Sequence, residues 1–146
     1  MKALTLTQPW ATLVAIGAKH IETRGWRTPY TGPLAIHAAK GFPPQVEALC
    51  YTQPFLRVLL GAHTELDKLP RGAVIATCRM TGCVPVEVIN NASNVFAVSL
   101  GQISEQELAF GDYSAGRWAW ILEDVKPLPE PIPARGALSL WEWNKP

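Results

Sequence analysis

No run of about eighteen apolar residues occurs in this chain, so no membrane-spanning helix is expected. Cysteine is scarce: Cys50, Cys78 and Cys83 are odd in number. The spacing of Cys78 and Cys83 does not suit a zinc knuckle, and no histidine completes a ligand set. Buried reduced thiols are expected, with no disulfide framework and no metal. A glycine-rich phosphate loop and a Ser–His–Asp arrangement are also missing, so neither a nucleoside-triphosphate loop nor a triad hydrolase is expected, and no cofactor is called for. The first apolar stretch is broken by Gln8 and Pro9 and no small-residue cleavage site follows cleanly, which reads as a mature start and a cytoplasmic protein. Charged residues make up only 17% and no internal repeat is found. That composition belongs to a compact chain and excludes disorder.

What is present is a large apolar fraction, 48% of 146 residues, with six tryptophans. This is enough for one self-sufficient domain, taken as residues 1–146. The net charge of +1 conceals an asymmetry. Residues 1–40 carry five basic groups against one acid, +4, and the remainder eight against eleven, −3. A positive end on a near-neutral protein suits local anion binding better than wholesale coating of nucleic acid.

The chain reads as many short strands with two or three helices. "KALTLT" alternates as a strand. "QPWATLVAIGA" is a helix with Thr7 as N-cap, Pro9 in the first turn and Gly17 as its stop. "KHIETRGW" is a strand that sets His20, Glu22, Arg24 and Trp26 on one side and Lys19, Ile21 and Thr23 on the other. "LAIHAA" is a strand carrying His37. Residues 44–61 are helical with a break near Pro54. Residues 73–90 form one bent strand or two, with Gly82 and Pro85 at the bend. Ser104 and Glu107 have the spacing of a capping box for a short helix. "GRWAWILEDVKPLP" is a strong strand, "PEPIPARG" is extended, and "LSLWEW" is the last strand or turn. Without strand–helix–strand regularity, this pattern predicts an α+β domain built on a small β-barrel.

Lys19, Glu22 and Arg24, set as Gly17-x-Lys19-x-x-Glu22-x-Arg24 behind "TQPWATLVAIGA", are the densest chemistry. Residues 7–40 resemble the N-terminal signature of the ASCH domain family, of the PUA-like superfamily of small barrels. "FGDYSAGRWAWIL" resembles the family's C-terminal strand segment. The resemblance implies a cleft between barrel and helices lined by the motif's Lys19, Glu22 and Arg24. It also implies recognition of RNA or a modified nucleobase, with metal-independent amidohydrolases of N4-acetylcytidine and ribonucleases among family members. Tyr113, Ser114 and Arg117 are cleft residues by the same resemblance.

The residues themselves leave alternatives open. Lys19 serves as a phosphate-binding point charge or as a base of depressed pKa, or else is an exposed lysine favoured by a helix C-terminus. Glu22 and Arg24 form an orienting ion pair, or accept from an exocyclic amine and grip a phosphate or carbonyl. Trp26, Arg27, Tyr30 and Lys40 offer an aromatic-plus-cation edge for single-stranded RNA or a splayed base, or Trp26 plugs the barrel. His37 reads as a core or rim histidine. Asp112 and Ser114 either present a backbone nest to an anion or satisfy their own turn. The expected partner is RNA or a nucleotide, and no membrane. The family's acetylcytidine amidohydrolases carry a nucleophilic threonine three residues after the motif lysine. Here that position is Glu22, which can act as a general base for water but cannot replace a hydroxyl in acyl transfer. As an enzyme, the chain would use Lys19, Glu22 and Arg24.

Overall fold

A computed structural model describes residues 1–88, 95–97 and 101–146. Strands β1 (Lys2–Leu6), β2 (Ile21–Arg24), β3 (Gly32–Ala38), β4 (Ala73–Val88), β5 (Val95–Ala97), β6 (Gly101–Gln102), β7 (Trp118–Pro133) and β8 (Leu140–Glu142) are interspersed with four short α-helices. These are α1 (Trp10–Ala15), α2 (Pro44–Glu47), α3 (Phe55–Gly61) and α4 (Glu105–Ala109), joined by 3-10 turns at Ala48–Tyr51 and Leu66–Lys68. None is long and apolar enough to cross a membrane. The bent strand expected over 73–90 is one strand to Val88; Ile89 and Asn90 lie outside the described residues.

The main sheet runs β2-β7-β4-β3-β1-β8, with β5 and β6 continuing from the far end of β4. The α+β class holds, but the barrel expectation is corrected. Pairing starts at β2 and ends at β8, and no ladder joins those edges among the described residues. Both edge strands are very short, and α1 packs against β3, β4 and β7, so a helix rather than a closing ladder covers that face. Leu4, Leu34, Ile36, Met80, Trp120 and Leu122 interlock beneath it. Beyond the sheet, Leu13, Cys50, Phe55, Leu59 and Phe110 make a second, helical core.

Local chemistry explains the element ends. Gly17 adopts φ 79° and stops α1 in the left-handed conformation that glycine tolerates best. Thr7 does not cap that helix. Gln8 does: its Oε1 accepts from Thr12 N at 3.0 Å while its Nε2 donates to Pro70 O at 2.7 Å. Ser104 caps α4 as expected, accepting from Glu107 N at 3.2 Å. The reciprocal half of the capping box is absent, because the Glu107 carboxylate instead accepts from His20 N at 2.6 Å. β1 and β3 are parallel with Thr5 opposite His37, so their C-terminal ends emerge side by side.

Candidate functional site

An open cleft of about 520 Å³ lies between the sheet and the helical core. Its sheet side is built by the end of β1 (Thr5, Leu6), by Thr7 just beyond it, and by β2. β2 has one face buried through Ile21 and Thr23. Alternation therefore turns Glu22 and Arg24 the other way, into the cleft. Asp112 and Arg117 arrive from the connection between α4 and β7, beside β2. Opposite this ionic wall stand Trp10, Leu49, Phe55 and Phe110. Trp10 meets Phe55 edge-on at 6.2 Å, and Phe55 is tilted against Phe110 at 5.0 Å.

The ionic wall pairs each arginine with a carboxylate. Arg24 Nη2 lies 3.3 Å from Glu22 Oε2 and donates to Thr5 O at 3.1 Å. Arg117 Nη2 donates to Thr23 O at 3.0 Å, and its Nε is 3.8 Å from Asp112 Oδ2. Nε of both arginines is buried without a hydrogen-bond partner. Backbone contacts thus fix both guanidinium planes while leaving part of each donor fork unspent.

Lys19 sits behind this wall. It is fully buried and does not border the cleft. Its Nζ donates to Ile21 O at 2.6 Å and Phe110 O at 2.9 Å, and lies 3.8 Å from Glu22 Oε1. Desolvation pulls its pKa below the ordinary lysine value, against the opposing pull of Glu22 and Glu107. Two donated bonds need only two hydrogens, so both carbonyls stay satisfied whether the amine is charged or neutral. The lysine ties β2 to the end of α4 and sits behind Glu22.

The other expected site residues are divided. Tyr113 is buried behind the cleft, its hydroxyl unpartnered and its pKa pushed up by burial and then by Glu107 and Glu22. Ser114 donates through its hydroxyl (2.7 Å) and its N–H (3.1 Å) to Asp112 Oδ1, closing the local turn. Those two hydrogen bonds hold the Asp112 carboxyl below its usual range, with a smaller pull from Arg117. Trp26, Arg27 and Tyr30 lie away from the cleft. Trp26 packs edge-on against Trp120 at 4.7 Å, Arg27 stands 5.7 Å over the Trp118 ring, and Tyr30 donates to Pro33 O. Lys40 borders a different depression. His37 is buried, its Nε2 2.8 Å from Ala134 O. Sequence reasoning missed the wall of Trp10, Leu49, Phe55 and Phe110. Their spacing is that of core residues, and only the packing of α1, α3 and α4 exposes one side of that core.

Comparison with known proteins agrees with this architecture. Residues 4–131 match the ASCH domain. "Activating signal cointegrator 1" from Mus musculus is 28% identical over 140 residues, 95% of this chain, and its Homo sapiens counterpart is 27% identical over the same length. The chain spans only 22% of those relatives. Among solved structures, two single-residue mutants of ZmASCH from Zymomonas mobilis superpose with TM-scores of 0.54 and 0.52, each at 19% identity. They cover 99% of this chain and 90% and 88% of theirs, a likeness of fold. With its motif on β2, its cleft against the helices and a family match over most of its length, this chain belongs to the ASCH domain family.

Proposed function

We propose that the cleft binds one nucleotide of an RNA, with the base between the aromatic wall and the ionic wall. The observation that carries this reading is the juxtaposition, on one cleft lining, of Trp10 and Phe55 with two partly exposed arginine side chains. A base has a flat face for the first and hydrogen-bonding edges for the second. Arg24 and Arg117 take carbonyl or phosphate oxygens. Glu22 accepts from an exocyclic amine, as carboxylates accept from the amino group of cytosine. Lys19, being sealed from the cleft, steadies Glu22 rather than meeting the ligand. Recognition is preferred to hydrolysis for the same reason, because the one amine with a depressed pKa is sealed from the cleft.

The test is calorimetric titration with the four ribonucleoside monophosphates. Arg24→Ala is expected to weaken binding at least tenfold. Glu22→Ala is expected to narrow the preference for amino-bearing bases over uridine. Monophosphate binding that ignores Arg24→Ala would sink the reading.

A further inference from the structure

The cleft shares a wall with a second depression. This groove, of about 1020 Å³, is bordered by His37, Lys40, Arg71, Arg135, Gly136 and Leu138, among others. Thr5 borders both spaces. Its carbonyl accepts from Arg24 on the cleft side. Its hydroxyl lies 3.1 Å from His37 Nδ1 on the groove side. The parallel register of β1 and β3 brings Thr7 and Ala39 out at the same end of the sheet, on strands about 4.8 Å apart. A chain leaving the cleft over Thr5 therefore meets the groove next.

The two spaces differ in charge. In the cleft each arginine faces a carboxylate. The groove has three exposed cations, Lys40, Arg71 and Arg135, and no acidic residue on its lining. Uncompensated, exposed positive charge suits repeated phosphates. The groove is also a built feature. Gly72 N donates to Ala38 O at 2.8 Å, Ala134 N to Gly72 O at 3.0 Å, and His37 Nε2 to Ala134 O at 2.8 Å. A Cβ on Gly136 would fall 2.7 Å from His37 Cε1 and 2.8 Å from Thr5 Oγ1, so glycine alone lets the segment after β7 close this wall. Leu138, 93% exposed at the rim, adds an apolar surface for a neighbouring base.

From this we infer that the groove is the track for the phosphodiester backbone of a single-stranded RNA whose nucleotide occupies the cleft. The natural ligand is then an oligonucleotide and not a free nucleoside. The inference rests on the cleft reading, and one experiment separates the two. Fluorescence anisotropy with a labelled single-stranded octanucleotide, and calorimetry with a monophosphate, are run on the wild type, on Arg24→Ala and on a Lys40→Ala, Arg71→Ala, Arg135→Ala triple variant.

The triple variant is expected to bind the octanucleotide at least tenfold more weakly. Its log–log salt slope should be shallower by about 2, three phosphates at roughly 0.7 each for single strands. Its monophosphate affinity should be unchanged. A Lys40→Arg, Arg71→Lys, Arg135→Lys variant, which keeps the charge, should bind as the wild type does. Wild-type affinity and slope in the alanine variant overturn the track. So does a wild-type protein that holds the octanucleotide no more tightly than a monophosphate, or prefers the matching duplex. Polyglutamate competing as well as RNA indicates an acidic protein partner and overturns it too. Octanucleotide binding that needs the groove cations but ignores Arg24→Ala fails the cleft reading instead.

Discussion

Lys19 shows how one residue can be central to a motif without bordering the cleft that the motif's other charges line. Burying an ammonium is costly, and the structure meets that cost with two carbonyls and a nearby carboxylate. Lys19→Met orphans the carbonyls of Ile21 and Phe110, each worth about 1–3 kcal/mol when unsatisfied, offset in part by relief of the buried charge. Chemical denaturation should therefore find the variant destabilised. The pH dependence has a definite sign. With a folded pKa lowered below 10.5, the unfolded state holds the Lys19 proton more tightly, so stability rises with pH between the lowered value and the unfolded one. Lys19→Met lacks that slope. The wild-type advantage should widen as pH climbs toward about 10.4, and a gap that shrinks would contradict the assignment. Glu22 is a different case. It faces the cleft, so if the cleft holds a base as proposed, Glu22→Ala should change base preference.

At the scale of elements, caps and glycines set the site's walls. Ser104→Ala removes the N-cap of α4 and should cost about 1 kcal/mol by denaturation. Because Glu107 of the same helix holds His20 N, loosening α4 should also reach the start of β2, visible as faster amide exchange there. Gly136→Ala forces a Cβ onto the His37–Thr5 contact and should destabilise by roughly 1–3 kcal/mol, as overpacking does.

Elements are also where legibility in the sequence divides. The alternation of β2 can be read because Ile21 and Thr23 are buried while Glu22 and Arg24 are only half-buried. The stop at Gly17 is equally plain. Thr7 misleads because the helix starts later, at Trp10, so that Gln8 and not Thr7 lies within reach of the orphan Thr12 N–H. The prolines of 127–133 suggest an extended segment, and they lie within β7. Past Leu122 that strand pairs only with β4 among the described residues, an edge where missing N–H donors are tolerated. The short β5 and β6 carry too few residues for any period to register. Trp10, Phe55 and Phe110 look like core, and they are core on one side. A cleft wall differs from a core only in what fails to cover it, which no local pattern records.

The whole molecule places its chemistry where charge and topology coincide. The basic excess of residues 1–40 is not spread over a face. Arg24 goes to the cleft, Lys40 to the groove, Arg27 to Trp118, and Lys19 inside. The domain is also held together across great sequence distances. β4 and β7, sixteen residues each, form its longest ladder, and the Arg117–Thr23 and Lys19–Phe110 bonds span 94 and 91 positions of the chain. A fragment of residues 1–104 should therefore lack dispersed amide signals in a proton–nitrogen NMR spectrum, and a folded fragment would refute this account.

That ladder has a consequence for synthesis. During translation the Lys-x-x-Glu-x-Arg motif leaves the ribosome well ahead of β7. Yet β2 pairs only with β7 among the described residues, and the buried amine waits for a carbonyl 91 positions downstream. At about 5–20 residues per second, the motif spends several seconds as an unformed, cationic segment before its frame exists. Premature termination between Arg24 and β7 yields a chain that carries the Lys-x-x-Glu-x-Arg motif without the frame that builds its cleft.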